Sequence, residues 1–155
     1  MAHIFVVRHG KAGERRLWTG DDIDRPLSKK GNKQSRLVGE RLADLEPSRL
    51  ISSPYVRCIQ TLEPLGKMIG ADVEVDQRLC EDEPFEPVLD LIREVPERSV
   101  LSTHGDIIPA TMQALERRGM KVISPPDWRK SVVWVLKRNR RGDIVHARVW
   151  PPPVV

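Results

Sequence analysis

The sequence predicts an α/β domain, a three-layer α/β/α sandwich with a mainly parallel central sheet. Two observations carry this reading. Short apolar runs alternate with stretches of helical periodicity along the chain. The residues able to do chemistry follow those runs directly, at the carboxyl edge where such sheets bind ligands. The 155 residues are the length of one ordinary domain, with no internal repeat and no linker. Residues 1–155 are therefore read as a single domain, with 151–155 as an extended tail.

The first apolar run, Ala2–Val7, is a buried strand. Ser28 is placed to cap a helix whose stripe is Leu37, Val38, Arg41, Leu42 and Leu45. Arg49–Ser52 is a second strand. Pro54 suits the first turn of the next helix, which carries Val56, Ile59, Leu62 and Leu65, and Pro64 is expected to kink or shorten it. Ala71–Val75 alternates as a strand, and Glu86–Val95 reads as a short helix. Ser99–Thr103 is a further buried strand, followed by a helix near Ile107–Arg118. Val132–Leu136 and Ile144–Val149 pair as a hairpin across Arg140-Arg141-Gly142-Asp143. Pro151-Pro152-Pro153 cannot donate to a sheet and forms an extended end.

A net charge of +4 and a pI of about 9.3 favour an anionic partner. Hydrophobic residues at 39% and charged residues at 31% are ordinary for a soluble globular chain. Cys58 and Cys80 form no C-x-x-C pair and no zinc-like spacing, so they read as reduced thiols. Ile4–Val7 is too short for a signal segment and no run reaches membrane-spanning length, so a cytoplasmic protein is expected. The basic stretch Lys137–Arg141 lies at the hairpin tip and lacks interleaved aromatics, so it reads as a solvated turn, and no nucleic-acid partner is expected. His3 and His146 read as structural histidines in strands, and Trp128 and Trp134 as packing residues.

The first strand runs into Arg8-His9-Gly10, the second into Ser52-Ser53-Pro54-Tyr55-Val56-Arg57, and a later one into Thr103-His104-Gly105-Asp106. Two histidines and two arginines thus converge on one sheet edge. Gly10 and Gly105 are expected to let backbone approach a ligand, and helix N-termini there favour an anion. A planar guanidinium grips two phosphoryl oxygens, which lysine cannot do. A neutral imidazole can attack phosphorus; the second imidazole, protonated, would clamp charge. A metal is disfavoured beside two guanidinium groups, so neither metal nor cofactor is expected. Lys11 and Arg25 extend the positive rim, and Trp18 is the tryptophan placed to touch substrate. Thr103 is read as orienting the pocket by a hydrogen bond.

These ordered motifs resemble the histidine phosphatase (phosphoglycerate mutase-like) superfamily over nearly the whole chain. The resemblance puts His9 in the nucleophile position, Arg8 and Arg57 as its two arginines, and His104 as its second histidine. The chain's size and Asp24-Arg25-Pro26-Leu27-Ser28 are similar to SixA-type phosphohistidine phosphatases. Lys11-Ala12-Gly13, Gly20-Asp21-Asp22 and Arg57–Leu65 are also similar to the phosphatase domain of some MutT-type Nudix hydrolases, which act on nucleotides. Leu79-Cys80-Glu81 fits the L-x-E pattern of the mutase-like branch, which makes Glu81 the general acid implied, with Asp82 and Glu83 as neighbours able to replace it. The acid-phosphatase branch puts its acid directly after the second histidine; here Gly105 stands there and Asp106 is one residue later. The implied activity is metal-independent phosphatase action through a phosphohistidine, first on phosphohistidine in a protein and second on nucleotides. A mutase, or a module that binds phosphorylated ligands without turnover, is the alternative class.

Overall fold

Four consecutive buried residues, Ile4, Phe5, Val6 and Val7, make β1 (Ala2–Arg8) a central strand, because a strand covered on both faces needs apolar side chains at every position. A computed structural model describes residues 2–155. After β1 come α1 (Lys29–Ala43), β2 (Leu50–Ser52), α2 (Val56–Ile69), β3 (Val73–Val75), α3 (Glu86–Glu94), β4 (Val100–Thr103), α4 (Ile107–Arg117), β5 (Lys121–Val122), β6 (Val133–Arg138) and β7 (Ile144–Trp150). The strands form one sheet in the order β3-β2-β4-β1-β6-β7-β5. Pairing is parallel from β3 through β1 and between β7 and β5, and antiparallel on both sides of β6. The sheet is mainly parallel, with the expected hairpin at β6 and β7.

Alternate side chains of β1 feed two cores. Ile4 and Val6 pack with α3 and α4, whereas Phe5 and Val7 pack with α1 and α2. These are the three layers. Ser28 caps α1 as expected, its Oγ accepting from Gly31 N–H at 3.1 Å. The buried face of α1 differs from the expected stripe. Leu37 is half-buried and Leu45 lies beyond the helix, exposed; the buried positions are Gly31, Gln34, Ser35, Val38, Gly39 and Leu42. Small residues are inside because α2 comes close: a β-carbon at Gly39 would sit 3.1 Å from Leu65 N.

Helix α2 is not shortened at Pro64 but runs on to Ile69 and stops at Gly70, which has φ 71°. The proline removes one hydrogen bond, while Leu62, Leu65 and Gly66 around it are buried and hold the helix together. Pro54 precedes the cap residue Tyr55 instead of opening the first turn. Strand β5, with two residues, is too short to show periodicity in sequence and exists through its pairing with β7. The basic turn is not wholly solvated: Arg138 donates to the carbonyls of Ile92, Arg93 and Val95 at the end of α3.

The α1–α2 layer thins out beyond β1. There the sheet face is open, with a groove of about 440 Å³ lined by His3, Phe5, Val135, Lys137, His146 and Trp150, among others. His3 and His146, expected as satisfied structural histidines, are exposed on this face because no helix covers it. Trp134 is fully buried and stacks on Trp128 with ring centroids 4.8 Å apart. Among the described residues no helix is long and apolar enough to cross a membrane.

Candidate active site

Strand register brings the motifs together. Arg8 pairs with Thr103 and Ser52 with Ser102 in parallel ladders, so His9, His104 and Ser53 are each the first residue past a neighbouring strand. The rings of His9 and His104 are 5.6 Å apart, inclined at 68°. Arg57 enters the same space from the first turn of α2. The structure therefore gathers Arg8, His9, Arg57 and His104, remote in sequence, at one sheet edge. Arg8, His9 and Arg57 border a cleft of about 460 Å³ whose lining also includes Arg25 and Glu81, while His104 lies buried behind it.

His9 is buried, and its Nδ1 lies 2.7 Å from the Gly10 carbonyl oxygen. A carbonyl only accepts, so Nδ1 carries the proton and Nε2 keeps its lone pair. Burial, with the neighbouring His104, Arg57 and Arg8, holds the His9 pKa down at about 3. The ring is neutral at neutral pH, with Nε2 unprotonated.

His104 is also held neutral, which corrects the expectation of a protonated clamp. Burial first, and then the charge of Arg57, push its pKa down to about 3. Its Nε2 is 2.8 Å from Ser53 Oγ, and that oxygen accepts from Tyr55 N–H at 3.3 Å. The other ring nitrogen, Nδ1, lies 3.6 Å from Glu81 Oε2. His104 can donate a hydrogen bond but brings no charge; the positive charge comes from the arginines. Cys58 Sγ lies 3.5 Å from His104 Nε2, and burial pushes that thiol up to about 12, so it stays protonated.

Arg57 is 1% exposed and donates to the Asp22 carbonyl at 3.0 Å, to Asp22 Oδ2 at 3.1 Å and to Glu81 Oε1 at 3.1 Å. Arg8 donates to the Trp128 carbonyl at 2.6 Å. The Nε–H groups of both arginines are buried without an acceptor among the described residues. Buried unpaired donors are costly, and these two lie in the same cluster as the neutral imidazole of His9.

Glu81 sits in the loop after the turn Gln77–Leu79. Thr103 Oγ1 donates to the Leu79 carbonyl at 2.7 Å, so Thr103 anchors the Glu81 loop to the end of β4. Burial raises the Glu81 pKa against the pull of Arg57 and Arg15. Asp22 shares Arg57 with it; burial lifts Asp22, but the Arg25 hydrogen bond and the charge of Arg57 outweigh this and hold it at about 2. Of the two carboxyls on Arg57, Glu81 is therefore the one shifted upward and Asp22 the one held down.

Several other expectations are revised. Arg25 is a buried strut more than a rim charge, donating to Asp22 Oδ1 and to the Gly13 carbonyl, although it also lines the cleft. Lys11 is exposed and lines the cleft. Gly10 is small for protein packing and not for a ligand: a β-carbon there would lie 3.0 Å from the Gly31 carbonyl oxygen, and its N–H donates to Thr61 Oγ1 at 3.0 Å. At Gly105 the vacant space is taken by the Arg8 side chain. Trp18 folds back over Gly20 and donates to the Asp21 carbonyl, away from the cleft lining. Asp22, Ser53, Tyr55 and Lys130 were not read from the sequence; they sit in loops or helix caps that carry no periodic signal. Among the described residues no group of three His, Cys, Asp or Glu comes together as a metal site.

Comparison with known proteins gives the family and the fold. Residues 4–83 match the family model described as histidine phosphatase superfamily (branch 1). The chain is 30% identical over 156 residues to the 8-oxo-(d)GTP phosphatase of Mycolicibacterium smegmatis, covering 97% of this chain and 48% of that protein. It thus spans about half the length of that relative and less of the next ones. Among solved structures, the protein histidine phosphatase SixA complexed with tungstate superposes with a TM-score of 0.74 at 24% identity, covering 92% of each chain. A mycobacterial glucosyl-3-phosphoglycerate phosphatase superposes with a TM-score of 0.68 at 19% identity, over 99% of this chain and 100% of that one. These two likenesses are of fold.

Proposed function

Because the chain belongs to the histidine phosphatase superfamily, we propose that it hydrolyses a terminal phosphoryl group through a covalent intermediate on His9. The observation that carries this is the free Nε2 of His9 beside two arginines whose buried Nε–H groups lack an acceptor. Nε2 attacks phosphorus while Arg8, Arg57 and His104 hold the phosphoryl oxygens. The bond from phosphorus to the leaving oxygen or nitrogen breaks, and Glu81 supplies the proton. Water then attacks the phosphohistidine, Glu81 takes back a proton, and phosphate and neutral His9 are regenerated. No step needs a metal.

Two substrate classes fit this chemistry. Phosphohistidine in a protein is the first, supported by size and by the likeness to SixA. A nucleotide phosphate is the second, supported by the relative that acts on 8-oxo-(d)GTP. The deciding experiment is a panel of phosphohistidine protein, nucleoside phosphates and small phosphate esters compared by kcat/KM. Turnover of an ester without release of phosphate to water would mark a mutase; binding without any turnover would mark a phospho-ligand module and sink the proposal.

A further inference from the structure

The cleft does not end at Arg8. Beyond that guanidinium lies a second cavity of about 600 Å³, and Arg8, Lys11 and Lys130 line both spaces. Lys30, Gln34 and Arg129 complete its polar wall, with Pro152, Pro153 and Val154 opposite. Among the described residues no Asp or Glu side chain lines this cavity. Among the described residues Lys11, Lys30 and Lys130 form no ion pair. Lys130 is crowded by like charge: burial and then Arg8, Arg25 and Lys11 all disfavour its protonated form.

The backbone holds Lys130 in this place. The next residue, Ser131, is fully buried with φ 69°, a left-handed conformation that is costly for a residue with a β-carbon. Its N–H is shared between the carbonyls of Arg8 and His9 at 3.2 Å each. A strained residue tied to the nucleophile's own strand end fixes an unpaired lysine beside the phosphoryl cradle.

We propose that Lys11, Lys30 and Lys130 form a subsite for a second phosphate next to the one transferred, which favours the nucleotide class over phosphohistidine and makes the substrate a diphosphate or triphosphate ester. This rests on His9, Arg8 and Arg57 taking the terminal phosphoryl group as above. The terminal phosphorus bonds to His9 Nε2, and its bond to the bridging oxygen breaks. The bridging oxygen leaves with the electron pair on the inner phosphate, whose new charge the three lysines neutralise. Water cleaves the phosphohistidine. Pro152, Pro153 and Val154 offer the organic group an apolar wall.

The test uses the 155-residue chain carrying His9→Ala, which binds without turnover. Phosphate and pyrophosphate are titrated by calorimetry at low salt. Pyrophosphate is expected to bind at least about tenfold tighter, with the gap narrowing as salt is raised. It is expected to close in the Lys30→Ala/Lys130→Ala double variant, whose fold is checked by its melting curve. With active enzyme, a nucleoside diphosphate is expected to exceed the matching monophosphate in kcat/KM. Equal affinity for the two ions, or a gap that survives loss of the lysines, overturns the subsite and leaves the His9 reaction standing. Absence of hydrolysis of every ester and of phosphohistidine overturns the His9 reaction itself.

Discussion

A β-carbon added to Gly105 would lie 2.6 Å from the guanidinium carbon of Arg8. The glycine after the second histidine is thus a slot for the arginine before the first. Gly105→Ala displaces the end of a flexible side chain and not backbone. The variant is expected to fold with a melting temperature near the parent's yet lose about 10–100-fold in kcat/KM through a misplaced Arg8. A normal rate would show that Arg8 need not lie there. Gly31→Ala is the contrast: its β-carbon would overlap the Lys11 carbonyl oxygen. That change is expected to cost about 1–3 kcal/mol in urea unfolding.

His9→Ala is expected to remove turnover, by at least about a thousandfold, because the imidazole that takes the phosphoryl group in the proposed reaction is gone. Brief reaction of the parent with substrate should leave a phosphoryl adduct on His9 by mass spectrometry, absent from the variant. A chelator should leave the rate unchanged, since a cation is disfavoured beside two guanidinium groups. Loss of activity on chelation would contradict the scheme.

Glu81→Gln tests the proton donor. The loss in kcat should be largest, about 10²–10⁴-fold, for alkyl phosphates, whose leaving oxygen needs a proton. It should be small for aryl phosphates with acidic leaving groups. An equal loss for both would make Glu81 a structural residue.

The two imidazoles set a stability slope. Both have folded pKa values of about 3 against 6.5 in the unfolded chain. Between those values the unfolded state binds more protons, so stability is full above pH 6.5 and falls as pH drops toward 3. Melting temperature followed through this window should fall, and fall less in His9→Asn. A slope unchanged by that substitution would mean that His9 titrates normally.

Asp22 and Glu81 occupy donors of Arg57 that phosphoryl oxygens need. Asp22→Ala should therefore bind inorganic phosphate several-fold tighter and show stronger product inhibition; weaker binding would show that Asp22 holds Arg57 in its working position.

Much of the fold and of the central site was legible because it follows from period and register. Every expected strand is present, and the residues after β1, β2 and β4 meet because parallel neighbours end together. What was not legible depends on distance between segments. The buried face of α1 turns on Gly39 against Leu65, and the role of Gly105 turns on Arg8, neither visible in local pattern. The charge state of His104 depends on burial and on Arg57, which a motif does not carry. Asp22 lies in a loop without periodicity, and its meeting with Arg57 and Glu81 is set by tertiary packing.

The proton on His9 is anchored by the main-chain carbonyl of Gly10, and every amino acid owns such a carbonyl. Enzymes that aim their imidazole with a carboxylate expose a second gene position to inactivation. In this chain the aiming group has no codon of its own. Screens for loss of function should therefore find no orienting partner for His9 apart from changes that bend the backbone itself.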